Sequence, residues 1–200
     1  MRFRLKLAVD KYAFGNLLPF NYQYEQSAVI YKTLSKSDAA YSEWLHENGF
    51  QFRDKQFKLF TFACLHIPNL KVQGDFIQIL CDTVEWDISF LPERSTQNFI
   101  SGLFQQQTFE LGNADAKVQF TVKNIDLLPS PEFSETMKFK TLSSICLASM
   151  RPEGGLAYLR PDDSGALELI RSNLLMKYKA FTGEDFPLND FPFEFKVLSK

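Results

Sequence analysis

Strand-like and helix-like segments follow one another along this chain in an order that few folds accommodate. Residues 2–9 alternate charged and apolar side chains, which predicts a strand with one buried face and one cationic face. The cationic face carries Arg2, Arg4 and Lys6. Apolar spacing predicts helices over 21–36, between Asp38 and Gly49, and over 93–106, while further strands are predicted over 58–67, 76–90 and 117–127.

These segments give the order strand, helix pair, two strands, helix, strand, which is the split βαβ pattern of a ferredoxin-like fold. The pattern ends near Leu128, where the segment LPSPEF contributes two prolines and is typical of a linker. A second series then begins with a strand-like segment over 137–149, a helix over 166–181 and a strand over 193–198.

The sequence therefore predicts an α+β fold of tandem ferredoxin-like modules, one over residues 1–128 and a second over 136–200. A complete second module would need another strand, another helix and a final strand. Because three elements alone leave open strand edges, we expect residues 136–200 to be the first half of a truncated module.

The composition of the chain is that of a folded globular protein. Hydrophobic residues make up 45% and charged residues 23% of the chain, which is the normal balance of a folded globular protein. The net charge is −2, but residues 1–60 carry nine Lys and Arg against six Asp and Glu, which predicts a mildly basic surface there. The chain lacks an apolar run of the ~20 residues that a membrane span needs and does not begin like a signal peptide, so we expect a cytoplasmic protein.

Cysteines and carboxylates give no sign of a metal. Cys64, Cys81 and Cys146 form no CxxC pair and lie in apolar surroundings, which predicts buried free thiols in a reducing compartment. Glu85 and Asp87 share one strand face, but no third ligand follows at a useful spacing. No metal and no cofactor are therefore expected.

Several segments, taken in order, resemble one family. They are MRFRLKL, LPFNYQYEQSAVIYK, WLHENGF, FKLFTFACL, GLFQQQTFELG and LSSICL followed by LLMKYKAFTG. The set is similar to the CRISPR-associated endoribonucleases of the RAMP superfamily, which process CRISPR repeat RNA. The resemblance implies tandem ferredoxin-like modules and metal-independent cleavage of precursor CRISPR RNA within its repeats. It also implies attack by the RNA 2′-OH, leaving a 2′,3′-cyclic phosphate.

The same resemblance implies three catalytic residues. The motif AVIYK places a tyrosine at Tyr31, WLHE places a histidine at His46, and KLF places a lysine at Lys58. Imidazole titrates near neutrality and suits acid–base work, a lysine can stabilise phosphorane charge, and a tyrosine can orient the 2′-OH. On local sequence alone, His46 and Lys58 also fit solvated surface residues, Tyr31 fits a packing role, and His66 is interpreted as structural.

The strand of Arg2, Arg4 and Lys6 is the candidate phosphate-binding surface, although a solvated face is an equal alternative. The family normally ends in a glycine-rich loop that helps to hold RNA, whereas this chain has nine glycines and no such cluster. An alternative function is therefore a non-catalytic module that binds CRISPR repeat RNA within an effector complex. The expected partners are precursor CRISPR RNA and other CRISPR-associated proteins, with a homodimer left open.

Overall fold

The computed structural model describes residues 1–139, 145–151, 153–187 and 194. The chain divides into two compact units, one made of residues 1–47 and 59–138 and the other of residues 48–58 and 139–200. In chain order the elements are β1 (Arg2–Asp10), β2 (Leu17–Pro19), α1 (Gln23–Ser37), α2 (Ala39–Glu47), β3 (Phe50–Phe52), β4 (Lys55–Phe57), β5 (Phe60–Phe62), β6 (Leu70–Gln73), β7 (Phe76–Ile79), β8 (Thr83–Phe90), α3 (Glu93–Gln105), β9 (Thr108–Gly112), β10 (Lys117–Leu128), β11 (Leu147–Met150), β12 (Leu156–Leu159) and α4 (Ala166–Thr182).

The first unit is built on an antiparallel five-stranded sheet with the order β5-β8-β1-β10-β9. The central strand β1 pairs with β8 on one side and β10 on the other, so that Leu5 lies opposite Trp86 and Ile125. The pairing of β1 with β10 shifts between Lys6 and Leu7, which marks a β-bulge. The predicted α+β class is therefore confirmed, and β9 is a strand that the sequence pattern did not predict.

Helices α1 and α3 cover the apolar face of this sheet, where alternate side chains of β1 are buried. Phe90 of β8 packs on Phe99 of α3 with ring centroids 5.1 Å apart. The two helices cross closely at Gly102. The space is so small there that an added Cβ would collide with the carbonyl oxygen of Thr33. The close crossing fixes the position of α1, which carries one of the predicted site residues.

The predicted strand over 76–90 is broken into β7 and β8, which belong to different sheets. Strand β7 lies between β2 and β6 in a three-stranded sheet. Between the two strands, the Lys11 ammonium donates to the Leu80 carbonyl at 3.0 Å and pairs with Asp82 at 2.7 Å. These interactions hold the turn against the start of the chain.

The predicted strand over 58–67 is also shorter than expected, because β5 covers only Phe60–Phe62 and an isolated bridge joins His66 to Glu85. Cysteine burial was predicted wrongly. All three cysteines are free thiols, but Cys64 and Cys146 are exposed. Cys64 lies beyond the end of β5, where its sulfur accepts a 3.5 Å hydrogen bond from Gln23.

The second unit contains the hairpin of β3 and β4, the hairpin of β11 and β12, and α4. Helix α4 packs on the first hairpin, where Phe181 and Phe50 have ring centroids 5.6 Å apart. Residues 48–58 thus cluster with the later part of the chain, whereas the predicted division placed them in the first module. Apart from residue 194, the predicted strand over 193–198 lies outside the described residues, and the predicted strand over 137–149 corresponds to β11 among those described.

Candidate active site

Tyr31 and His46 come together although they lie fifteen positions apart on different helices. Their ring centroids are 5.0 Å apart and their planes are inclined by 83°. This edge-to-face geometry is one that aromatic rings prefer. Two of the three predicted catalytic residues are therefore neighbours.

The turn between α1 and α2 creates this contact. Asp38 follows the last residue of α1, and its carboxylate accepts a 3.0 Å hydrogen bond from the Tyr41 backbone N–H, as a helix N-cap does. The Ser42 hydroxyl then donates to the Tyr31 carbonyl at 2.9 Å. Because the two helices are tied at this point, the last turn of α2 places His46 beside Tyr31.

Helix α2 is also anchored to the start of α3. The Arg94 guanidinium donates to the Asp38 carboxylate at 2.8 Å and lies 4.5 Å from the centroid of the Tyr41 ring. The Tyr41 hydroxyl is within 2.6 Å of the Ser95 hydroxyl in a buried hydrogen bond. The hydrogen bond from Arg94 is the main cause that lowers the pKa of Asp38 below its ordinary value.

The two rings differ in exposure. The His46 side chain is 63% exposed, and its Nδ1 lies 2.8 Å from the Glu47 carboxylate. Tyr31 is half-buried and also packs edge-on against Phe60, at 5.6 Å between centroids. Burial raises the pKa of the Tyr31 phenol, which makes it a weaker acid and favours a neutral, hydrogen-bonding hydroxyl.

Lys58 is half-buried and belongs to the second unit, directly before the residue at which the first unit resumes. In the sequence it precedes Phe60, the ring that packs on Tyr31, by two positions. The contact between Tyr31 and His46 lies wholly within the first unit. The part of Lys58 in the site stays a prediction.

The candidate phosphate-binding residues lie on the sheet face opposite the helices, and carboxylates lie among them. Arg4 forms a two-pronged hydrogen bond with Asp87, at 2.7 and 2.8 Å, and a 3.4 Å ion pair with Glu85. Lys6 pairs with Asp126 at 3.3 Å. These pairs use part of the positive charge that the sequence suggested was available for RNA, while Arg2 is exposed.

Sequence reasoning missed the residues that hold the site together, chiefly Asp38, Arg94 and Glu47. One signal was present, since Asp38 begins the predicted second helix and aspartate is a favoured N-cap residue. Glu47 carried no signal, because neighbouring residues on a helix do not normally face each other. Within the described ranges, no group of three or more His, Cys, Asp and Glu side chains is arranged to hold a metal ion. None of the helices in the described part is long and apolar enough to cross a membrane.

Comparison with known families matches both parts of the chain. Residues 17–126 match the family described as CRISPR-associated protein Cas6, N-terminal, and residues 128–200 match CRISPR associated protein Cas6, C-terminal. The CRISPR-associated endoribonuclease Cas6 1 of Methanocaldococcus jannaschii is 31% identical over 201 residues, which cover 99% of this chain and 72% of the relative.

Similar solved structures point to the same family as the sequence comparison. A CRISPR associated protein Cas6 aligns with 100% of this chain and 77% of its own, at 31% identity and a TM-score of 0.73. A second structure, described as an RAMP protein binding different RNA substrates, aligns with 92% of this chain and 73% of its own, at 25% identity and a TM-score of 0.75.

The fold and the matched segments together define a CRISPR-associated protein. More narrowly, the chain belongs to the Cas6 family, so the predicted family is confirmed. The predicted endoribonuclease class agrees with the name of the M. jannaschii relative.

Proposed function

We propose that this protein is an endoribonuclease that cleaves precursor CRISPR RNA within its repeats and needs no metal ion. The observation that supports it best is the contact between Tyr31 and His46, two residues of the predicted catalytic set, at 5.0 Å between ring centroids. An exposed imidazole beside a half-buried phenol is suited to a reaction that moves protons at a substrate bound from solvent.

The reaction needs little from the protein because RNA contains its own nucleophile. The 2′-oxygen loses its proton and forms a bond to phosphorus, the bond from phosphorus to the 5′-oxygen breaks, and that oxygen takes up a proton. The products are a 2′,3′-cyclic phosphate and a free 5′-hydroxyl. In this scheme His46 transfers a proton, the neutral Tyr31 hydroxyl orients the 2′-OH, and Lys58 stabilises charge on the phosphorane.

We also propose that residues 1–128 and 136–200 are tandem ferredoxin-like modules. The order β5-β8-β1-β10 in the first unit supports this, since it brings the first strand of a split βαβ pattern to the middle of the sheet. In residues 136–200, the hairpin of β11 and β12 followed by helix α4 is the support.

For RNA binding, the proposed surface retains Arg2, Arg4 and Lys6. Arg4 and Lys6 would have to exchange their carboxylate partners for phosphates, so binding there should weaken strongly as salt increases. Of the three residues, Arg2 should bind a phosphate at the lowest cost in free energy. Its side chain is exposed, and no ion pair to it is seen in the described part of the chain.

The test is cleavage of repeat RNA by the full natural protein in excess EDTA. Cleavage should continue, and the upstream fragment should be one water lighter than the 3′-monophosphate. A substrate with a single 2′-deoxyribose at the scissile position should bind but stay intact. Cleavage of that deoxy substrate, or intact ribose substrate at stoichiometric protein, contradicts the proposal. RNA binding without cleavage would instead assign the chain as a non-catalytic RNA-binding module.

A further inference from the structure

The carboxylate of Glu47 is in contact with the imidazole of His46, at 2.8 Å between Oε1 and Nδ1. Both side chains are largely exposed, at 67% and 63%. Adjacent residues on a helix point about 100° apart, so this contact requires both side chains to turn toward each other. It is a specific arrangement and does not follow from helix geometry.

The contact determines which ring nitrogen carries hydrogen. An ionised carboxylate only accepts hydrogen bonds. Nδ1 of His46 must therefore be the donor, and in the neutral ring Nε2 is the nitrogen that has the lone pair. A carboxylate that fixes the histidine tautomer in this way is a general feature of acid–base sites.

A second contact fixes the plane of the ring. Tyr31 meets the imidazole at 83° between planes, so rotation of the ring is restricted by the phenol as well as by Glu47. The two neighbours constrain different motions, since the carboxylate holds one edge and the phenol limits the tilt. Both contacts favour the same orientation of this exposed ring.

The position of Glu47 gives it no helix-stabilising role. It is the last residue of α2, where the helix dipole disfavours a negative charge. Its interaction with His46 is thus the contact on which a role can rest, and removing its charge should leave the fold intact.

We propose that Glu47 is a positioning residue for the reaction: it holds His46 with hydrogen on Nδ1 and so presents Nε2 to the RNA. This inference rests on the proposed nuclease function. It adds a residue outside the three that the sequence resemblance implied.

The first test needs no RNA. Imidazole ¹⁵N shifts of the labelled protein report the tautomer of each histidine, with His66 as an internal reference and His46→Ala for assignment. In the wild type, the neutral His46 ring should be mainly protonated on Nδ1. Glu47→Ala should shift it toward the Nε2-protonated form, whereas Glu47→Gln should retain the Nδ1 form because its amide oxygen still accepts. An unchanged tautomer in Glu47→Ala overturns the inference.

The second test is single-turnover cleavage of repeat RNA. Glu47→Ala should reduce the rate about 10-fold, the lower end of the losses seen when the carboxylate partner of a metal-binding histidine is removed, with RNA affinity unchanged. Glu47→Gln should recover most of the rate. Asp115→Asn, which removes an exposed carboxylate in the turn between β9 and β10, should behave as wild type. Equal rates in Glu47→Ala and wild type also overturn the inference.

The two tests separate the two proposals. A Glu47-dependent tautomer in a protein that does not cleave RNA would support the positioning contact and contradict the nuclease function. Cleavage by a protein whose His46 tautomer ignores Glu47 would do the reverse.

Discussion

Two sets of residues in helix α2 differ sharply. Tyr41, Ser42 and Leu45 are buried, and the hydroxyl groups of Tyr41 and Ser42 are hydrogen-bonded to Ser95 and to the Tyr31 carbonyl. His46 and Glu47, in the last turn, are exposed; the His46 ring contacts the Tyr31 ring, and the two side chains contact each other. We call the first set the anchored side of α2 and the second set its chemical side.

The difference shows how an exposed histidine can be held in place. Hydrogen bonds and packing on the anchored side fix the helix, and the helix fixes the backbone of His46. The chemical side then needs only short-range contacts to orient the ring. Changes on the two sides should therefore be separable, with activity lost on one and stability lost on the other.

The largest effect should come from the chemical side. His46→Ala should reduce single-turnover cleavage of repeat RNA by roughly 10²–10⁴-fold, the usual contribution of a positioned acid–base group. Its melting temperature and RNA affinity should match wild type, because the side chain is exposed. His66→Ala, the other histidine and also exposed, is the control and should remain active. Comparable losses in both variants would show that His46 has no special part.

The helix crossing beneath the anchored side should give the largest loss of stability. Gly102→Ala introduces a Cβ that collides with the backbone carbonyl of Thr33, and overpacking of this kind costs about 1–3 kcal/mol. Urea denaturation measures this loss of free energy of unfolding, and Ser101→Ala on the exposed side of α3 is the matched control. A Gly102→Ala protein as stable as the control would mean that α1 and α3 do not cross this closely.

A smaller loss is expected from Tyr41→Phe. The variant keeps the ring under Arg94 but removes the buried hydrogen bond to Ser95, at about 1 kcal/mol. Cleavage at a temperature where the variant is fully folded should stay within a few-fold of wild type. A loss as large as that of His46→Ala, without a loss of stability, would erase the distinction between the two sides.

The sequence predicted the long elements well, because hydrophobic periodicity is strong in β1, α1, α3 and β10. It missed short strands such as β2, β6 and β9, whose pairing depends on distant partners and not on local pattern. It also joined β7 to β8, because the turn between them is held by Lys11, seventy-one positions before Asp82. Long-range contacts of this kind leave little trace in a local window.

The candidate site also depends on long-range contacts that local sequence does not reveal. The resemblance to a family implied Tyr31 and His46, and the structure brings them together. Local sequence offered no reason to connect them, since it described His46 as a surface residue and Tyr31 as a packing residue. Their contact depends on the angle between α1 and α2, which is set by Asp38, Ser42 and Arg94 through tertiary hydrogen bonds.

The smallest effect should be a pH dependence on the anchored side. The pKa of Asp38 is lowered in the folded protein, mainly by the hydrogen bond from Arg94. A lowered folded pKa means that the stabilisation is fully present above the ordinary carboxyl pKa of ~3.9 and is lost as the pH falls through the folded value. Asp38→Asn keeps a good N-cap residue, removes the charge, and replaces the oxygen that accepts from Arg94 and Asn98 by an amide NH2. The variant should therefore be slightly less stable than wild type near neutral pH, and the difference in free energy of unfolding should disappear under strongly acidic conditions.

Urea denaturation across this pH range measures the difference in free energy of unfolding. High salt should reduce this difference, since the pair of Asp38 and Arg94 is exposed. A difference that grows as the pH falls would show that Arg94 does not stabilise the ionised carboxylate, and this ion pair would then contribute nothing to the link between α2 and α3.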